Sequence, residues 1–93
     1  MLSQTARVTI ERPARYGKQL ASHLGNKIQL EEVASGYKLT FELGVATISP
    51  TTEILIMVAE SDTNEGLERI KFVLDKHLRQ FTTKLPEFEI IWQ

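Results

Sequence analysis

The residues best suited to chemistry in this chain stand close together. They are Arg12, Arg15, Lys18, Gln19 and His23, within the run Arg12-Pro13-Ala14-Arg15-Tyr16-Gly17-Lys18-Gln19-Leu20-Ala21-Ser22-His23-Leu24-Gly25-Asn26-Lys27. Guanidinium groups pair with carboxylates and phosphates through a planar fork of donors, and an imidazole binds anions or moves protons near neutral pH. On a helix, Arg12, Arg15, Gln19 and Ser22 make one polar stripe with Lys18 to its side. Arg12 and Arg15 also lie near the helix N-terminus, where the dipole favours negative charge. The chemistry on offer is capture of a small anion, an acidic partner or an RNA backbone. The plainer alternative is a solvated face whose cations pair with Glu31 or Glu32 on the next strand.

Other arrangements exclude more than they offer. There is no cysteine, and Ser3, Ser22, Ser35, Ser49 and Ser61 include none in a Gly-x-Ser-x-Gly elbow. Ser22 and His23 are adjacent on a helix and point about 100° apart, so they form no dyad. The five glycines are scattered and match neither nucleotide-binding fingerprint. His23 and His77 each stand near the C-terminal end of a helix. If those helices are antiparallel neighbours, the two rings lie at opposite edges of the sheet, about 15 Å apart at 1.5 Å per residue. They then share no metal, and neither a metal nor a cofactor is expected. His77 beside Leu74, Leu78 and Phe81 reads as a hydrogen-bonded, partly buried structural histidine, and His23 beside Leu20 and Leu24 reads the same way.

The elements that must position these residues follow from periodicity. Alternation in Ala6–Ile10 predicts an opening strand with Ala6, Val8 and Ile10 buried. Pro13 suits a first helical turn, Tyr16, Leu20 and Leu24 form the apolar stripe, and Gly25-Asn26 ends the helix. Gly17 weakens that helix, or lets its backbone approach the sheet closely. Strands are expected at Ile28–Glu32, Gly36–Leu43, Val45–Ser49 and Glu53–Ala59. The last of these is apolar on both faces, which suggests a central place. Asp62-Thr63-Asn64-Glu65 resembles a capping box with Asp62 as N-cap, and Leu67, Ile70, Leu74, Leu78 and Phe81 carry a second helix to about Thr82. Pro86 precedes a last strand, Phe88–Trp92. The order β-α-β-β-β-β-α-β implies a two-layer α+β domain, with a mainly antiparallel sheet and both helices on one face. The open face is then expected to carry Leu55, Met57 and Ile91 among Arg7, Thr9, Lys38, Thr40 and Glu42. A mixed patch of this type marks association, here a homodimer.

Composition sets the outer limits. With 93 residues, one small domain (1–93) is expected, with a single core and little room for a deep cleft. A hydrophobic content of 42% with 25% charged residues excludes intrinsic disorder. A net charge of -1 argues against general DNA or RNA binding. No apolar run is long enough for a membrane span and the N-terminus lacks a secretory layout, so the cytoplasm is the expected compartment.

At Arg12-Pro13-x-Arg15-Tyr16-x-Lys18-Gln19-Leu20-x-x-His23-x-x-x-Lys27 the chain resembles a small bacterial family known as domain of unknown function twenty-two-eighteen. The likeness continues through the Gly36–Leu43 strand, Asp62, His77-Leu78-x-x-Phe81 and Ile91-Trp92. The resemblance brings no established activity. It implies stand-alone domains or neighbours of siderophore-interacting flavin reductases, hence an accessory role in iron handling. Gly17 stands where relatives carry a larger apolar residue. The leading reading is a non-enzymatic accessory or binding domain that contacts a partner protein or small anionic ligand through Arg12, Arg15, Lys18, Gln19 and His23. Its rivals are a small enzyme using His23 as acid/base with Arg15 and a sheet residue such as Tyr37 or Glu42, and an RNA-binding domain.

Overall fold

Proline opens the first helix as its chemistry dictates, whereas Gly25 closes it in right-handed backbone at φ -64°, its N-H donating to the Ala21 carbonyl. In the computed structural model, which describes residues 1–83 and 88–93, α1 (Pro13–Leu24) begins with Pro13 in its first turn. It follows β1 (Leu2–Thr9) across a link of three residues. Arg12 ends that link in the left-handed region at φ 51°, with no side-chain cap. The proline disfavours right-handed helical backbone there, and a non-glycine residue with positive φ is uncommon.

After α1 the chain makes a meander of β2 (Gln29–Val33), β3 (Gly36–Phe41), β4 (Gly44–Pro50) and β5 (Ile54–Ser61), then enters α2 (Asn64–Phe81). Among the described residues the sheet has five strands in the order β1-β5-β4-β3-β2, every pairing antiparallel. This is the two-layer α+β fold expected from the element order. The anticipated final strand is reduced to one bridge, Ala6 to Trp92, flanked by two 2.9 Å hydrogen bonds between the backbones of Thr5 and Gln93. The apolar alternation of Phe88, Ile90 and Trp92 instead packs against the core without strand pairing along its length. Pro86, expected just before that segment, lies outside the described residues.

Both helices cover one face of the sheet. Leu55 and Ile48 meet α1 at Gly17, while Gln4, on the same side of β1 as Ala6 and Val8, accepts a hydrogen bond from Lys71 of α2. The core between the layers is made by Val8, Leu20, Leu39, Ile48, Leu55, Met57, Leu74 and Leu78, all with essentially no exposure. The expected association face therefore needs correction, because Leu55 and Met57 are 0% exposed and face the helices. A strand apolar on both sides gives no parity of its own. Pairing of Ala6 with Met57 and Val8 with Leu55 sets it, since Ala6 and Val8 have no second buried option. The open face carries half-buried Ile54, Ile56 and Val58, with Ile91 57% exposed.

Two smaller corrections follow from local geometry. Leu43 lies in the β3–β4 turn and is exposed, because β3 stops at Phe41. The cap of α2 is Thr63, whose Oγ1 accepts from the Gly66 N-H at 3.0 Å, not Asp62. Ser61 holds this junction: its Oγ donates to the Leu43 carbonyl at 2.6 Å and accepts from the Thr63 N-H at 3.3 Å. No helix among the described residues is long and apolar enough to cross a membrane.

Candidate functional site

The two histidines meet. Their ring centroids are 5.1 Å apart, and the Phe81 ring stands nearly perpendicular to that of His23 at a centroid distance of 5.2 Å. This overturns the expected separation. Antiparallel helices would hold these ends at opposite edges of the sheet, but His23 is the eleventh residue of α1 and His77 the fourteenth of α2. Their contact shows that the C-terminal segments of the two helices converge instead of lying at opposite edges.

Helical spacing explains what α2 presents there. Arg69, Val73 and His77 recur at every fourth residue and form one ridge about 12 Å long at 1.5 Å per residue. Across from it stand the α1–β2 link and the end of β3. Between them lies a cavity of about 310 Å³ whose apolar wall is Leu24, Ile28, Phe41 and Val73. Its polar wall is His23, Asn26, Lys27 and His77, with no carboxylate among the lining residues. A second depression of about 250 Å³ continues from the shared Ile28, Phe41 and Val73 to Leu43, Ile70, Glu42 and Arg69. A wider depression of about 690 Å³ is lined by Arg79 and Phe88 to Ile91 and shares no residue with this groove.

His77 is held in place by its own helix. Its Nδ1 lies 2.8 Å from the Val73 carbonyl oxygen, and the side chain is half-buried. A carbonyl only accepts, so the proton of this bond belongs to Nδ1, and Nε2 is the lone-pair nitrogen of the neutral ring. His77 is thus the hydrogen-bonded, partly buried histidine anticipated from sequence. His23 is not: it is exposed, because Leu20 and Leu24 turn inward and leave it on the flank facing α2. Two imidazoles supply two donors to a metal, and among the described residues no group of three or more His, Cys, Asp or Glu is placed to hold one.

The remaining basic residues of α1 take other directions. Arg12, Arg15, Lys18 and Gln19 are all exposed. With 3.6 residues per turn, Gln19 lies within about 40° of His23 around the helix, whereas Arg15 and Lys18 are rotated by about 80° and 140°. Arg12 precedes the helix in left-handed backbone and is not on the stripe expected for it. Among the described residues none of these cations has an ion-pair partner; the two pairs present, Lys71–Glu68 and Arg79–Asp75, are both internal to α2. Pairing of α1 with Glu31 or Glu32 does not occur. Nor does the constellation imagined for an enzyme assemble, since neither Arg15 nor Tyr37 lines the histidine cavity and Glu42 belongs to the adjoining one.

The sequence pattern matches the DUF2218 family, described as an uncharacterized protein conserved in bacteria, over residues 5–93. The chain belongs to the DUF2218 family. Its fold is similar to the NMR structure of PA4090 from Pseudomonas aeruginosa, with a TM-score of 0.84 and 26% identity over 100% of this chain and 96% of that one. No curated protein matches the chain. Of the expected contact residues only His23 lines the cavity; Asn26, Lys27, Ile28, Phe41, Val73 and His77 were not among them. One signal was available in the Arg69–Val73–His77 row, a half-apolar ridge beside the fully buried stripe of α2.

Proposed function

We propose that this DUF2218 chain is a non-enzymatic binding domain that takes a small anionic ligand in the cavity between α1 and α2. The observation that carries the reading is the composition of that cavity: Lys27, His23, His77 and the Asn26 amide stand over an apolar wall, with no carboxylate among its lining residues. Such a wall excludes water from one side of the ligand, and a partly desolvated anion gains more from each cationic donor than it would in bulk solvent. Arg12, Arg15, Lys18 and Gln19 serve the approach rather than the grip. Unpaired cations on one helix raise the local concentration of an anion and hence its encounter rate, an effect that weakens with salt.

The test is a chemical-shift titration with acetate, inorganic phosphate, citrate and a ferric siderophore, the last because the family resemblance implies an iron-handling context. Binding at this site moves His23, Lys27 and His77 together; shifts confined to Arg12–Lys18, or none, reject it. A second reading, acid/base catalysis, draws support from the His77 tautomer, which places a lone pair on Nε2 beside a second imidazole. It requires a substrate whose turnover is abolished by His77→Gln and by His23→Gln alike.

A further inference from the structure

The anionic-ligand reading accounts for one end of the groove and leaves the other unused. From the shared Ile28, Phe41 and Val73 the depression continues past Ile70 to Leu43, whose side chain is 47% exposed in the β3–β4 turn. The first depression, about 310 Å³, stands at the roughly 300 Å³ where small-molecule sites begin, and the second, about 250 Å³, adjoins it through the shared residues. Its two ends differ in charge. At one end Lys27 stands with two imidazoles and no acid in the lining; at the other, Arg69 shares the wall with Glu42.

We infer that the groove binds an amphiphile with an oxyanion head and an unbranched apolar tail, the head at Lys27, His23 and His77, the tail along Val73 and Phe41 toward Leu43. This rests on the binding function proposed above and adds the class of ligand. The ridge Arg69–Val73–His77 fixes the length: about 12 Å separates its ends, a span filled by a medium-length chain with its head. The polarity follows from charge, because Glu42 offsets the attraction of Arg69 for an anion at the far end, while no acid in the lining offsets Lys27. Val73 and Phe41 are half-buried, so they present apolar surface to solvent that a tail would cover.

The probes are butyrate, octanoate, octyl phosphate and 1-octanol, titrated calorimetrically against the full chain. Half-burial of four added methylenes makes octanoate bind about 15-fold more tightly than butyrate. Leu43→Glu, an exposed change, lowers octanoate affinity to near that of butyrate and leaves butyrate unchanged. Lys27→Glu weakens both acids, and thermal melts of the two variants verify the fold. Octanoate and octyl phosphate both bind more tightly than octanol, and their order assigns the head as carboxylate or phosphate. Equal affinity for butyrate and octanoate, with Lys27→Glu weakening both, overturns the tail and leaves the anion site standing. Octanol binding as well as octanoate, with no effect of Lys27→Glu, overturns both. Absence of binding by octanoate and octyl phosphate overturns the inference, while the short-anion titration still decides the anion site by itself.

Discussion

Replacing Leu55 and Ile56 by alanine, one at a time, gives opposite answers for neighbouring residues of the same strand. Leu55 is fully buried and its Cδ1 lies against the place where a side chain on Gly17 would begin, 3.0 Å from an added Cβ. Leu55→Ala removes three carbons, about 2.4 kcal/mol of transfer free energy at about 0.8 kcal/mol each. It also opens a cavity that Gly17, lacking a side chain, cannot fill, so the total belongs in the upper part of the range of about 2–5 kcal/mol for such changes. Ile56, on the open face, is half-exposed and leaves no enclosed void; its loss is about 1 kcal/mol. At about 4–8 °C per kcal/mol for a domain of this size, the two variants separate by more than 10 °C in melting temperature. Guanidinium unfolding followed by circular dichroism, at unchanged m-value, checks the difference. A further comparison isolates the contact: Gly17→Ala is nearly neutral alone, because a helix-propensity gain of about 0.8–1 kcal/mol opposes the tight approach to Leu55. In the Leu55→Ala background the approach is relieved and the full gain appears, with a coupling of about 0.5–1 kcal/mol. Equal losses for Leu55→Ala and Ile56→Ala would refute the strand's facing, and a coupling of zero would refute the seating of α1 on β5.

Ser61→Ala removes the hydroxyl that donates to the Leu43 carbonyl and should lower stability by about 1–3 kcal/mol in denaturant titration, since Ser61 is 1% exposed and water cannot replace it easily. Thr63→Ala deletes the cap of α2 and should cost about 1 kcal/mol by the same assay, while Asp62→Ala should cost less because its side chain caps nothing. Lys27→Glu should abolish the shift changes produced by short anions at His77, whereas Arg15→Ala should leave their size intact and reduce only the salt dependence of the association rate.

What could be read before the fold was known divides by the range of the interaction. The start of α1 was legible because Pro13 acts on its own turn, and the β2–β5 meander because each strand carries its turn residues beside it. Gly25 marked the end of α1 without a left-handed cap, where a side chain would collide with Leu30. The cap moved by one residue because Asp62 and Thr63 are both good caps, and Ser61 decides between them through a bond to Leu43, a residue from another turn. The facing of β5 was illegible because Ile54, Ile56 and Val58 are as apolar as Leu55, Met57 and Ala59; only pairing with β1 resolves it. The segment near Trp92 has strand alternation but makes one bridge. The candidate site was the least legible part. His23 and His77 are 54 positions apart in the numbering and meet where the C-terminal segments of two helices converge, which no local pattern encodes. Family membership was legible because it is a property of residue type along the chain.

The bridge between Ala6 and Trp92 gives the molecule a reporter of its own. The chain has a single tryptophan, tied to the outer edge of β1 by one bridge and the two Thr5–Gln93 hydrogen bonds, on the flank of the sheet opposite β2. So short a tether is able to fray without melting the layers beneath it. Indole fluorescence therefore reads detachment of the chain terminus, while far-ultraviolet dichroism reads the sheet and helices. The first signal should change at lower denaturant than the second, which makes the terminus a separable unit in any melting curve.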